Sequence, residues 1–213
     1  DNGSYTRYTP LRRPYVLWSV VATPELSLKP IQWCFPIAGC VAYRGYYGRD
    51  DARDYAGELR AQGFDVHISG VPAYSTLGWF DDPLISTFIN YPDGELARLI
   101  FHELAHQISY VPGDSAFNES FATAVEEAGL QRWLAEHGDD RLRAAYAQYA
   151  ARKQQFLELL LRARRKLLDA YASDAGDCQR RTRKAEVFRE LKAEYAVLKQ
   201  QWGGYAGYDR FFA

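Results

Sequence analysis

His102-Glu103-Leu104-Ala105-His106 is the segment whose residue types and spacing can do chemistry. On a helix, residues four apart share a face, so both imidazoles can reach one metal ion. Glu103 sits about 100° further round the helix. It cannot share the histidines' direction, but it reaches a water on the open side of the metal. That suits a general base better than a ligand. The chemistry such a group performs is metal-assisted attack of water on a carbonyl, with the glutamate carrying the proton.

The element that must carry these residues is a helix from Glu95 to Ser109. Leu96, Leu99, Ile100, Leu104 and Ile108 recur at helical spacing and give it a wide apolar surface. Asp93 is the expected N-cap, and Pro112-Gly113 ends the run. A helix apolar on most sides is expected to be buried. Histidines inside it need partners.

A hydrolytic zinc site needs a third protein ligand and one open position. The next helix, Asp114 to Gly129, offers two candidates, Glu119 and Glu126. Asp114 or Ser115 caps it, and Phe117, Phe121, Ala124, Val125 and Ala128 form its expected apolar stripe. Glu119 lies at the edge of that stripe near the N-terminus, where the helix dipole favours an ionised carboxylate. Glu126 competes for the ligand position. Otherwise it orients a histidine from behind, as does Thr123 in the alternative.

Asn118-Glu119-Ser-Phe-Ala122 resembles the N-E-x-x-A/D element of the gluzincins, the thermolysin-like and aminopeptidase N-like metallopeptidases. A closer resemblance is to a bacterial zinc-aminopeptidase family with H-E-L-A-H-Q followed by N-E-[SA]-F-A and V-E. It extends to Trp33–Tyr46, to Pro72–Pro83 and to Tyr208-Asp-Arg-Phe211, and so covers most of the chain. The resemblance implies one zinc ion per chain on His102, His106 and Glu119, with Glu103 as base. It places Asn118 beside the ligand. The spacing departs from the better-known gluzincins, where the ligand commonly follows the second histidine by about eighteen residues. Here Glu119 follows sooner, and at the longer spacing the residue would be Val125.

The resemblance also implies a zincin-like α+β fold: a small mixed sheet, the metal helix, the third-ligand helix, then a long helical hairpin. Periodicity supplies the elements. Tyr15–Val21 and Gly39–Tyr46 read as strands, Asp50–Gln62 as a helix, and Phe64–Ser69 as a strand leading into Val71–Phe80. Residues 139–172 and 177–202 read as two long helices broken at Gly176, and Arg162–Lys166 as a solvated basic face. The expected domains are 1–138, the catalytic core, and 139–213, the hairpin with the C-terminal segment.

In zincins the strand before the metal helix receives the substrate backbone. That position falls on Ala73–Phe80, so Gly78 and Trp79 are expected to touch substrate. Asp81 and Asp82 follow, and by analogy one of them binds a free amino terminus; otherwise Asp-Asp-Pro is a turn or cap. The donor for the developing oxyanion is expected from Tyr208, or from Tyr205.

A formal net charge of −1 gives nucleic acid no purchase, and no run of eighteen apolar residues spans a membrane. Cys34 and Cys40 flank a turn-prone segment, and either a bridge or two buried thiols fits; Cys178 is left over. The family's exported character favours the bridge. It also implies an N-terminal lipoprotein anchor missing from this chain, membrane tethering through it, and a periplasmic place in the bacterial cell envelope. The expected function is therefore zinc-dependent hydrolysis of a peptide or protein substrate, with aminopeptidase first. The alternatives are an envelope endopeptidase and a non-catalytic binding scaffold.

Overall fold

The computed structural model describes residues 3–35, 39–73 and 75–212. Among the described residues are seven short strands, five α-helices and a closing 3-10 turn, Asp209–Phe212: β1 Tyr8–Thr9, β2 Leu17–Pro24, β3 Trp33–Phe35, β4 Gly39–Val41, β5 Arg44–Tyr46, α1 Arg49–Ala61, β6 Phe64–Val71, β7 Leu84–Ile85, α2 Asp93–Ile108, α3 Ser115–His137, α4 Asp140–Ala172 and α5 Asp177–Gln201. The chain forms two compact units, residues 1–25 with 29–143, and residues 26–28 with 144–213. The division lies within α4. Among the described residues no helix is long and apolar enough to cross a membrane.

The first unit is built on a three-stranded antiparallel sheet in the order β5-β2-β6. The long pairing runs from Leu17↔Val71 to Pro24↔Phe64. Alternation along β2 sends Val20 and Ala22 inward, where they meet Ala52, Ala56 and Leu59 of α1. Small residues on α1 let the helix lie close to the sheet. Gly63, at φ +88, turns the chain from α1 into β6. The expected mixed sheet is thus antiparallel in its main part, and the parallel pairing is the two-residue contact of β1 with β7.

The expected strand at Gly39–Tyr46 is two strands. β4 pairs back on β3, with Cys34 opposite Cys40, while β5 joins β2. Cys34 and Cys40 are bridged, and Cys178 is free and exposed. Residues 36–38 of the expected turn-prone segment lie outside the described residues. Gly39, at φ +71, comes so close to the α2–α3 connection that a Cβ would stand 3.0 Å from the Gly113 nitrogen.

The expected strand from Val71 to Phe80 ends at Val71. Tyr74 lies outside the described residues, and Leu77–Phe80 is turn and bend. Leu77 at φ 57 and Gly78 at φ 79 reverse the chain there. Asp82 holds the turn by accepting the Thr76 backbone N–H at 3.0 Å. A carboxylate taking a backbone donor inside a loop competes with a ladder, which is the physical reason alternation misleads here.

α2 and α3 pack along each other. α2 begins one position earlier than a cap at Asp93 requires, because Pro92 is the capping residue and Asp93 lies in the first turn. It is not enclosed on most sides: Ile108 is 78 % exposed. Asp114 caps α3 by accepting the Phe117 N–H at 2.9 Å. The buried stripe of α3 is Asn118, Ala122, Glu126, Leu130 and Leu134 rather than the expected Phe117 set, and Phe117 is exposed. The stripe tolerates two polar residues because both find partners. Gly129 does not end the helix. Its bare Cα admits the Phe101 ring, which a Cβ would approach to 2.8 Å.

In the second unit Phe156, Leu159, Ala163 and Leu167 of α4 pack on Val187, Leu191 and Tyr195 of α5. The C-terminal segment folds onto this core. The Tyr208 ring stacks on Phe156 at 4.1 Å, and Asp209 accepts hydrogen bonds from Tyr195 and Lys199, each at 2.7 Å.

Candidate metal centre

His102 and His106 leave α2 on one side, with ring centroids 4.9 Å apart. Glu119 comes from the second turn of α3 and reaches both. Its two oxygens lie 3.3 Å from His102 Nε2 and 3.8 Å from His106 Nε2. One ligand atom from each of the three falls within 4.8 Å of the others. Donors on a tetrahedral zinc with bonds of about 2.0 Å stand about 3.3 Å apart. The three donors are of the kind that could hold a metal ion.

Glu126 is not in this triangle. It stands behind His102, 1 % exposed, with Oε2 2.9 Å from His102 Nδ1. Arg98 Nη1 donates to both oxygens of Glu126 at 2.9 Å. The guanidinium pairs with the carboxylate, and the carboxylate fixes the His102 ring with Nε2 facing Glu119. Arg98 gave no signal in the sequence, since its partner lies 28 positions away on another helix.

The electrostatics follow from the contacts. Hydrogen bonds that His102 donates to Glu119 and then to Glu126 hold it up at about 9. Glu119 is held below the usual carboxylate range, first by its bond to His102. Burial pushes His106 down. Glu103, 7 % exposed, is pushed up to about 7 by burial, partly offset by His102.

These residues open on a cavity of about 500 Å³ in the first unit, lined by His102, Glu103, His106, Asn118 and Glu119 on the helical side. Leu17 and Ser19 of β2, Ser69 and Val71 of β6, and Ala73 and Leu77 line the other side. Tyr43 and Tyr110 complete the wall. Sixteen tyrosines in the chain left these two indistinguishable by sequence. The Tyr43 hydroxyl is held above its ordinary range by burial, then by Tyr110, Glu119 and Glu103.

The sequence of one protein family, described as "Putative aminopeptidase", matches residues 1–213. The chain belongs to this family. No curated protein and no solved structure matches it. Of the other expected site residues in the first unit of this family member, Asp81, Asp82, Gly78, Trp79 and Thr123 do not line the cavity. Asp81 is exposed and accepts the Gly3 N–H at 2.8 Å. Asp82 is buried beneath the Thr76 turn, and Gln107 donates to it at 3.0 Å. Gly78 lies against the Gln107 Cβ, and Trp79 is 76 % exposed. Asn118 lines the cavity and also brackets the α2–α3 connection by exchanging two hydrogen bonds with Val111, at 2.8 and 2.9 Å. Thr123 is half-buried and is not the partner of His106, whose Nδ1 is buried without one among the described residues. Tyr205 and Tyr208 belong to the aromatic cluster of the second unit.

Proposed function

We propose that this chain is a zinc-dependent peptide hydrolase of gluzincin type. The observation that carries the reading is the His102, His106 and Glu119 triangle with buried Glu103 beside it. A zinc ion held there supplies Lewis-acid polarisation and acidifies a water. The remaining work belongs to the chain. Glu103, near 7, takes a proton from the attacking water and returns it to the leaving amine. Glu126, braced by Arg98, keeps His102 aligned. Tyr43 is the wall hydroxyl that suits donation to the developing oxyanion. Tyr208, the sequence-based choice, competes with it.

The substrate backbone lies along β6. That strand pairs only with β2 among the described strands, and its Ser69–Val71 end lines the cavity. This moves the binding strand from Ala73–Phe80 to β6. Leu17, Val41, Val71 and Leu77 make an apolar wall, which favours an apolar side chain beside the cleaved bond. An aminopeptidase is the activity we adopt, in keeping with the family description, and the bridged Cys34 and Cys40 support an oxidising compartment such as the periplasm.

The test is hydrolysis of one peptide with a free and with an acetylated amino terminus by zinc-loaded protein. Release of one residue from the free form alone is the expected result. Internal cleavage of both forms makes the chain an endopeptidase with the same metal site. No cleavage of any peptide by zinc-loaded protein overturns the reading.

A further inference from the structure

Charge is divided unevenly between the two flanks of the helical hairpin in the second unit. α4 and α5 run antiparallel, and their ion pairs fix the register: Arg162 meets Glu194 at 3.0 Å, and Lys166 meets Glu190 at 2.8 Å. Residues four apart share a helix face. Arg162 and Lys166 therefore mark one flank on α4, and Glu186, Glu190 and Glu194 mark the same flank on α5. Arg183 joins it by pairing with Glu186 at 2.9 Å. On this flank carboxylates offset the cations.

A residue two positions away stands about 200° round the helix, on the opposite flank. There the same register sets Arg164 opposite Lys192 and Leu168 opposite Phe188. Arg164 and Lys192 are exposed, as are Arg165 and Arg189 towards the outer edge. The α4 line continues at helical spacing through Leu161 and Leu157. Leu157, Leu161, Leu168 and Phe188 are all exposed. From Leu157 to Leu168 the line runs about 17 Å, and no carboxylate stands on it. The basic stretch Arg162–Lys166 is thus divided, its two end members paired on one flank and Arg164 turned to the other.

The pattern selects its partner. A second copy of the chain would set these cations against one another. A shaped protein partner is held by large anchors in pockets, whereas here the apolar side chains themselves project. Leucines and a phenylalanine among long cationic side chains match the boundary of a bilayer with anionic headgroups. The apolar groups enter between the lipids, and the guanidinium and ammonium groups stay with the phosphates. No described helix is long and apolar enough to cross a membrane, so the hairpin lies on the surface.

We propose that the flank carrying Leu157, Leu161, Arg164, Leu168, Phe188 and Lys192 docks on an anionic phospholipid surface. The docking needs neither the metal nor peptide hydrolysis.

Co-sedimentation of the full chain with vesicles tests it, using phosphatidylcholine alone and phosphatidylcholine mixed with phosphatidylglycerol. Binding to the anionic vesicles only, falling as salt rises, is the expected result. Arg164→Gln with Lys192→Gln should weaken it about thirtyfold. Leu168→Ser with Phe188→Ser, which leaves every charge in place, should weaken it at least about tenfold. Circular dichroism checks that each variant keeps the parent's helix content. Arg162→Gln with Lys166→Gln removes the same charge from the paired flank and should bind within about threefold of the parent. Failure to sediment with anionic vesicles at low salt overturns the proposal. So does an equal loss in the paired-flank variant, since net charge alone would then drive binding. Binding to polyglutamate as tight as to vesicles, and unchanged by the Leu168 and Phe188 substitutions, makes the flank a general polyanion surface and overturns it as well.

Discussion

At the residue scale the centre is a chain of charges: Arg98, Glu126, His102, Glu119. Each fixes the state of the next. Removing Glu126 strands the Arg98 charge and frees the His102 ring, so Glu126→Ala should cost about 3 kcal/mol of stability. It should also weaken zinc binding by roughly 10–100-fold; urea unfolding and zinc titration measure the two effects. Glu103→Gln keeps the shape and removes the base, so turnover should drop by about 10²-fold or more with zinc retained. Metal content beside the rate distinguishes this from loss of the site. The pH dependence has a definite sign. His102 at about 9 and Glu103 at about 7 both lie above their ordinary values, so the folded metal-free protein holds protons that the unfolded chain has released. That stability is full below the unfolded values and is lost as pH rises through 7 and then 9. The melting temperature of metal-free protein should therefore fall from pH 6 to 9. The rise on adding zinc should grow over the same range, because zinc must displace the His102 proton.

At the element scale, the close pairing of α2 and α3 brings Glu119 to the histidines after a short connection. Gly129 makes the close approach, and Gly129→Ala should destabilise the unit by about 1–3 kcal/mol through the Phe101 ring. Thermal unfolding with and without zinc checks it. The small bridged hairpin of β3 and β4 should lose about 2 kcal/mol when Cys34 and Cys40 are both replaced by Ser. Elements with long apolar or helical repeats were legible in the sequence: α1, α2, α4 and α5 fall within a residue or two of expectation, since periodicity over several turns is set by burial. The buried stripe of α3 was not, because its polar members Asn118 and Glu126 are internal only through partners on other segments. The Val71–Phe80 run misled for a similar reason: a side chain beyond it, Asp82, holds the turn. His102, Glu103 and His106 were legible because their spacing is itself the geometry. Arg98, Tyr43 and Tyr110 were not, because chain distance hides what folding brings together.

At the scale of the whole molecule, the two units answer to different forces. The helical unit is a leucine and aromatic core closed by the C-terminal aromatic cluster. In the first unit the three ligands are unequally sheltered: the side chains of His102 and His106 are 18 % and 11 % exposed, and that of Glu119 is 63 %. The ligand that completes the triangle is the one facing solvent. A chelator in solution could therefore meet an ion held there from the Glu119 side while the protein stays folded. Metal exchange should run at a rate proportional to chelator concentration, with no unfolding step to limit it. The cell's supply of free zinc, more than the protein's own synthesis, would then set how much of it is loaded at any moment.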